Sequence, residues 1–200
     1  MKKVIISSTG KAITGSTGAH YVDVLPEGYR ELVGITFDGD FYYATTLRLR
    51  GSDTLRFSYS ATAAGNVIGC YSGSTSTPNY SYYHAASAYL RHGTSLIRPS
   101  MSSNTRYDIV CTPTGATGFP SAVTWTETTF EVNGDFYIGM LDNSTSAALK
   151  GSIYGRVTID GRALFIPVED PDGYIGYYDM VSDTFIAKTG SGTPVSLGYL

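Results

Sequence analysis

The sequence predicts an all-β protein, a two-sheet antiparallel sandwich with an extended N-terminal arm. Three observations predict it. The chain carries 17 Tyr and 8 Phe, roughly a quarter of it is Ser or Thr, and 23 glycines supply turns. From Leu25 onward, short β-prone runs recur at intervals of about 8–12 residues with turn residues between them. No window shows sustained helical periodicity; the nearest is Ser144-Thr145-Ser146-Ala147-Ala148-Leu149, where a short turn is expected within Asn143–Lys150.

Taken in order, residues 1–24 read as an arm or linker, because Gly10–Ala19 is rich in Gly, Ser and Thr and has little to bury. Its ends, Val4-Ile5-Ile6 and Tyr21-Val22-Asp23-Val24, are β-prone and are expected to pair with their own sheet or a neighbouring subunit. Residues 25–200 form the domain. Its expected strands are Glu31–Phe37, Phe41–Leu49, Thr54–Ala61, Asn66–Tyr71, Ser81–Tyr83, Ala88–Arg91 and Arg106–Cys111. They continue with Ala122–Val132, Phe136–Leu141, Gly151–Ile159, Arg162–Pro167, Tyr174–Asp179 and Thr184–Ala187. In the third run Leu55, Phe57 and Tyr59 face one way and Thr54, Arg56 and Ser58 the other. Ile153, Val157 and Ile159 share a face, with Gly155 placed to admit a neighbouring backbone. Asp38-Gly39, Asn133-Gly134, Asp160-Gly161 and Asp172-Gly173 mark turns.

Composition excludes several classes. With 42% hydrophobic and 16% charged residues the chain is not disordered, and 200 residues suffice for one well-filled core. A net charge of −3 does not suit a binder of nucleic-acid phosphates. Lys2-Lys3 is followed by only three apolar residues, so neither a signal peptide nor membrane insertion is expected. Cys70 and Cys111 lack the spacing of a metal or redox motif and read as buried thiols.

Two segments are more specific. Leu25-Pro26-Glu27-Gly28-Tyr29-Arg30-Glu31-Leu32 opens the domain, with Ile35, Gly39 and Tyr42 behind it. Phe165-Ile166-Pro167-Val168, Asp172-Gly173-Tyr174-Ile175-Gly176-Tyr177-Tyr178-Asp179, Thr184-Phe185 and Gly190-Ser191-Gly192-Thr193 close it. This order resembles the concanavalin A-like, laminin-G-like jelly-roll domains of gut bacteria and their tailed phages, over about Leu25–Thr193. The resemblance implies a jelly roll in which the opening strand lies near the closing hairpin. It departs from the family between Tyr71 and Asn104, where the chain has a Ser/Tyr-rich stretch to which the family's usual central strands are hard to match.

The resembled fold includes glycoside hydrolases and calcium binders, so paired carboxylates and clustered oxygen donors bear on the function. Glu127 and Glu131 would stand roughly 13 Å apart on a strand, against about 5–5.5 Å for retaining and 6.5–9.5 Å for inverting glycosidases. Thr129 occupies the place of the family's middle acid. Glu169, Asp170, Asp172 and Asp179 are hard oxygen donors close in sequence, but backbone chemistry alone explains the Asp172-Gly173 turn and the EF-hand loop pattern is not met. His20, His84 and His92 fit no metal or triad spacing. No catalytic residue, metal site or cofactor is expected.

The candidate contact residues are Tyr80, Tyr82, Tyr83 and His84, in the run Asn79–His84, together with Trp125; Tyr89, Arg91 and His92 follow closely. On a strand Tyr80 and Tyr82 share a face and Tyr83 takes the other. Such rings cover a core, make protein contacts or stack on sugars, and all three readings stay open. The expected function is a non-enzymatic structural or adhesion domain of a phage virion, made in the host cytoplasm. It would join other virion proteins or its own subunits, as a homotrimer for example, through the N-terminal arm. The alternative is a lectin-like carbohydrate-binding module, extracellular or on a bacterial surface, that recognises cell-surface glycans.

Overall fold

Leu55, Phe57 and Tyr59 are buried while Arg56 between them is exposed, so one strand carries an inner and an outer face. That alternation, repeated, builds the molecule. The computed structural model describes residues 24–72, 78–86, 88–141 and 148–200, and none of these is helical. The arm, residues 1–24, lies outside the described residues except for Val24, as do His20 and most of the expected turn at Asn143–Lys150.

The strands in chain order are β1 (Arg30–Glu31), β2 (Gly34–Asp38), β3 (Phe41–Ala44), β4 (Leu55–Ala61), β5 (Gly65–Cys70) and β6 (Asn79–His84). Then come β7 (Tyr89–Gly93), β8 (Ser95–Ile97), β9 (Tyr107–Thr112), β10 (Gly115–Thr117), β11 (Val123–Thr124) and β12 (Phe136–Ile138). The last are β13 (Lys150–Ile159), β14 (Ala163–Glu169), β15 (Ile175–Asp179), β16 (Thr184–Ile186), β17 (Lys188–Gly190) and β18 (Val195–Ser196).

They form two antiparallel sheets. The eleven-stranded sheet runs β11-β10-β9-β4-β13-β14-β15-β16, with β2, β18 and β1 joined at its side. Its spine is β13, which pairs with β4 on one edge and shares the other between β2, at Lys150–Tyr154, and β14, at Val157–Ile159. The seven-stranded sheet runs β17-β3-β12-β5-β6-β7-β8. The core lies between them. Phe136 of one sheet stacks on Phe165 of the other at 5.7 Å, and Tyr43 meets the edge of Tyr177 at 5.0 Å. Cys70 and Cys111 are buried free thiols, and burial pushes both up to about 12.

The opening and closing segments meet as the motifs imply. Arg30 pairs with Glu169 and Glu31 with Val168, and the Tyr29 ring stands against Tyr178 at 5.0 Å. Leu25 and Tyr29 pack on Ile166, Val168 and Tyr178, on the side of the sheet away from the main core. Gly176 leaves room for a neighbour: a β-carbon there would lie 2.6 Å from the Phe185 ring.

Other expectations are corrected. Gly155 admits no neighbour, since nothing lies within 4 Å of a β-carbon built on it; its φ of +58° serves the register shift between Tyr154 and Thr158. Ala122–Val132 is not one long strand, because pairing stops at Thr124 and the chain then turns Trp125 into the core. The strand opening at Phe41 ends at Ala44 rather than Leu49. In the Ser/Tyr-rich stretch the expected strands Ser81–Tyr83 and Ala88–Arg91 are present as β6 and β7, and β8 follows them.

Candidate functional site

Strand β6 sends Tyr80, Tyr82 and His84 inward and Tyr83 outward, and β7 sends Leu90 and His92 inward and Tyr89 and Arg91 outward. The inward set is a polar network within an aromatic core. The hydroxyls of Tyr59 and Tyr82 are hydrogen-bonded across the sandwich, and Tyr59 lies 2.9 Å from Nδ1 of His84. A chain in which Tyr82 donates to Tyr59 and Tyr59 to His84 satisfies every group but Nε2 of His84, which is buried without a partner among the described residues. The Tyr80 hydroxyl donates between the carbonyls of Asp53 (3.3 Å) and Cys111 (3.4 Å). Burial pushes the phenols of Tyr59, Tyr80 and Tyr82 well up.

His92 is caged. Its ring stacks on Trp125 at 4.2 Å and 11°, meets Phe130 edge-on at 4.8 Å and touches Tyr80 at 4.9 Å. Neither ring nitrogen makes a hydrogen bond to a described residue. Burial lowers its pKa to about 4, only partly offset by the nearby Gly51 carbonyl and Glu127 carboxylate. Trp125 is held by its indole N–H, which donates to the carbonyls of Thr112 (3.1 Å) and Pro113 (3.0 Å). Of the five candidate residues, Tyr80, Tyr82, His84 and Trp125 therefore cover the core, one of the three readings left open, and Tyr83 alone faces outward.

No protein-family model and no curated protein sequence matches the chain.

Outside, the Tyr83 and Tyr89 rings stack at 5.0 Å and 16°, and the Arg98 guanidinium sits over Tyr89 at 4.8 Å. Arg91 pairs with Leu96 across β7 and β8, which places both beside them. The result is an outward row of two tyrosines, two arginines and a leucine at the β8 edge of the sheet. Neither Arg91 nor Arg98 forms an ion pair among the described residues. Tyr83 comes from the strand on one side of β7 and Arg98 follows the strand on the other, so the Tyr89 ring is flanked on both faces. It offers a partner its edge and hydroxyl. Sequence reasoning missed Arg98 and Leu96, because three-residue β8 carries no hydrophobic period of its own.

The carboxylates considered for catalysis hold loops. Glu127 accepts from the N–H (2.8 Å) and hydroxyl (2.9 Å) of Thr94, and Glu131 from Nε of Arg50 (2.9 Å). Asp170 accepts from the N–H groups of Asp172 (3.0 Å) and Tyr174 (2.8 Å), which closes the Asp172-Gly173 turn. Asp179 accepts from Leu164, Val181 and Ser182, and Glu169 from Arg30 and Tyr199. Among the described residues no three His, Cys, Asp or Glu side chains come together to hold a metal ion.

Proposed function

We propose that this chain is a non-enzymatic structural or adhesion domain of the concanavalin A-like, laminin-G-like jelly-roll kind, carried on a phage virion. The observation that supports it best is the Tyr83–Tyr89–Arg91–Leu96–Arg98 row. Tyrosine and arginine are the residues that anchor protein interfaces. Fixed on paired strands, they lose little freedom on binding. Two arginines without ion-pair partners among the described residues suit an acidic protein surface, and binding through them should weaken as salt rises. Because Arg98 and Tyr83 flank the Tyr89 ring, stacking a sugar on that ring is disfavoured, so the lectin-like alternative takes second place at this surface.

Two measurements test the reading. Protein analysis of purified phage particles should find the chain as a regular component; recovery only from the host envelope would favour the lectin. In that system, Tyr89→Ala combined with Arg98→Ala should lower incorporation or attachment at least about tenfold, with the melting temperature nearly unchanged. Unchanged attachment would remove the row from the contact surface.

Residues 1–24 are proposed to dock onto neighbouring virion proteins or further copies of the chain. Among the described residues the main core cluster runs from Leu32 to Tyr177. If the arm docks onto a partner, deleting residues 1–24 should leave a folded sandwich, by melting and circular dichroism, that no longer assembles. An unfolded product would make the arm a strand of its own sheet. Full assembly would end the docking role.

A further inference from the structure

The hairpin β7–β8 ends the seven-stranded sheet, and among the described residues no strand pairs with the far side of β8. His92 pairs with Ser95 across the two-residue turn Gly93-Thr94, with Gly93 at φ +64°. In such a hairpin the closing pair exchanges its hydrogen bonds and the pairs beyond it alternate. Ser95 and Ile97 therefore turn their N–H and C=O groups toward β7, and the Pro99 carbonyl continues the alternation by accepting from the Ala88 N–H. Leu96 and Arg98 turn theirs outward. The edge thus offers a further strand two donor–acceptor pairs, about 7 Å apart.

The side chains decide which strand suits it. On the outer face stand Arg98, over the Tyr89 ring, and Leu96 beside Arg91. On the inner face Ile97 is half-buried against the core. Two arginines repel a second β8 laid against the first, and they match a segment that carries an acid on its outer face. The inner face of that segment has to be apolar to cover Ile97. Tyr21-Val22-Asp23-Val24 has this pattern, because Tyr21 and Asp23 share one face of a strand and Val22 and Val24 the other. The other β-prone run of the arm, Val4-Ile5-Ile6, follows Lys2 and Lys3, whose charge this edge disfavours.

Tyr21–Asp23 lie outside the described residues, but the point where the chain enters the fold is fixed. Val24 is 63% exposed, and Leu25 packs on Ile166, Val168 and Tyr178. Strand β15, which carries Tyr178, lies opposite β3 through the contact of Tyr177 with Tyr43. From β3 to β8 the sheet order β3-β12-β5-β6-β7-β8 is crossed, about 24 Å at 4.8 Å per strand. Four residues span about 14 Å at most. Residues 21–24 therefore cannot lie along the β8 edge of their own chain, whereas the edge of another copy is open to them.

We propose that Tyr21–Val24 of one copy adds as a strand to β8 of the next, with Asp23 beside Arg98 and Val22 and Val24 over Ile97. This exchange rests on reading the outer row as a protein contact and the arm as a docking element, and it gives both the same partner, a further copy of this chain. A head-to-tail contact of this kind closes into a ring or continues as a filament.

The test uses the purified full chain. Cys70 and Cys111 are buried, so a cysteine introduced at the surface is the thiol that reacts. Asp23→Cys chains mixed with Arg98→Cys chains should give a mixed covalent dimer on mild oxidation, at least about tenfold more than Asp23→Cys mixed with Tyr174→Cys. In sedimentation the parent chain should self-associate, less so as salt rises. Asp23→Arg and Arg98→Asp should each raise the dissociation constant about tenfold, and the two combined in one chain should restore it. A parent chain that stays monomeric up to about 0.1 mM with no excess of the mixed dimer overturns the exchange. So does a charge-swapped chain that associates no better than the single variants. Attachment to phage particles separates this failure from failure of the row: if Tyr89→Ala with Arg98→Ala still abolishes attachment of a monomeric chain, the row meets a different protein and only the exchange is lost.

Discussion

Lowering the pH from 7 to 4 is expected to remove about 3 kcal/mol of folding free energy through His92 alone. The ring is held near 4 inside its cage, against 6.5 in the unfolded chain. Between those values the unfolded state binds the proton and the folded state does not, so stability falls as pH falls. The contribution is whole above pH 6.5, and about 2 kcal/mol of it is gone by pH 5. His84, lowered by burial and bonded only through Nδ1, acts in the same direction. Glu169 is held below 4.5 by the Tyr199 hydroxyl and by Arg30; its contribution is present above 4.5 and is lost only below it. Urea unfolding at pH 7, 6 and 5 isolates the histidines. His92→Phe keeps the stack on Trp125 without ring nitrogens and should flatten the curve to what His84 supplies. An undiminished slope in that variant would place the titrating group elsewhere.

The cage shows why the fold was more legible in the sequence than the site. Strand β4 could be read residue by residue, because a half-buried strand writes its burial as a period of two, and Leu55, Phe57 and Tyr59 have that period. Asp38-Gly39, Asp160-Gly161 and Asp172-Gly173 could be read as turns, since their glycines take φ of +97°, +72° and +86°. Gly134 differs in cause: a β-carbon on it would lie 2.5 Å from the Tyr71 carbonyl, so it serves a close approach between chains of the sheet. Strands β8, β10, β17 and β18 were not legible, because two or three residues at a sheet margin are held by backbone pairing and need no apolar pattern. All of Lys188–Gly190 is exposed.

Within β6 the alternation of Tyr80 and Tyr82 against Tyr83 was legible, but which face met the core was not. Tyrosine suits either face, provided that a buried hydroxyl finds a partner. The partners of Tyr82 and Tyr80 are Tyr59, Asp53 and Cys111, all distant in sequence. The outward row depended in the same way on Arg98 reaching Tyr89. Neither pairing leaves a local signature.

Replacing Arg162 by Met should destabilise the fold by about 3–5 kcal/mol, far more than loss of any exposed ion pair. Arg50–Glu131 and Arg56–Asp160 have both partners about half exposed, and such pairs contribute about 0–1 kcal/mol. Asp53 differs because it is buried and tied to the Arg50 N–H. Without Arg162 its carboxylate keeps that single bond and no cation, in a place water reaches poorly. The loss is then mainly the cost of an unpaired buried charge, and removing the charge should restore stability. Asp53→Asn combined with Arg162→Met keeps an acceptor for the Arg50 N–H and should recover most of the loss in a double-mutant cycle on thermal unfolding. A loss below about 1 kcal/mol for Arg162→Met would class the pair with the surface bridges.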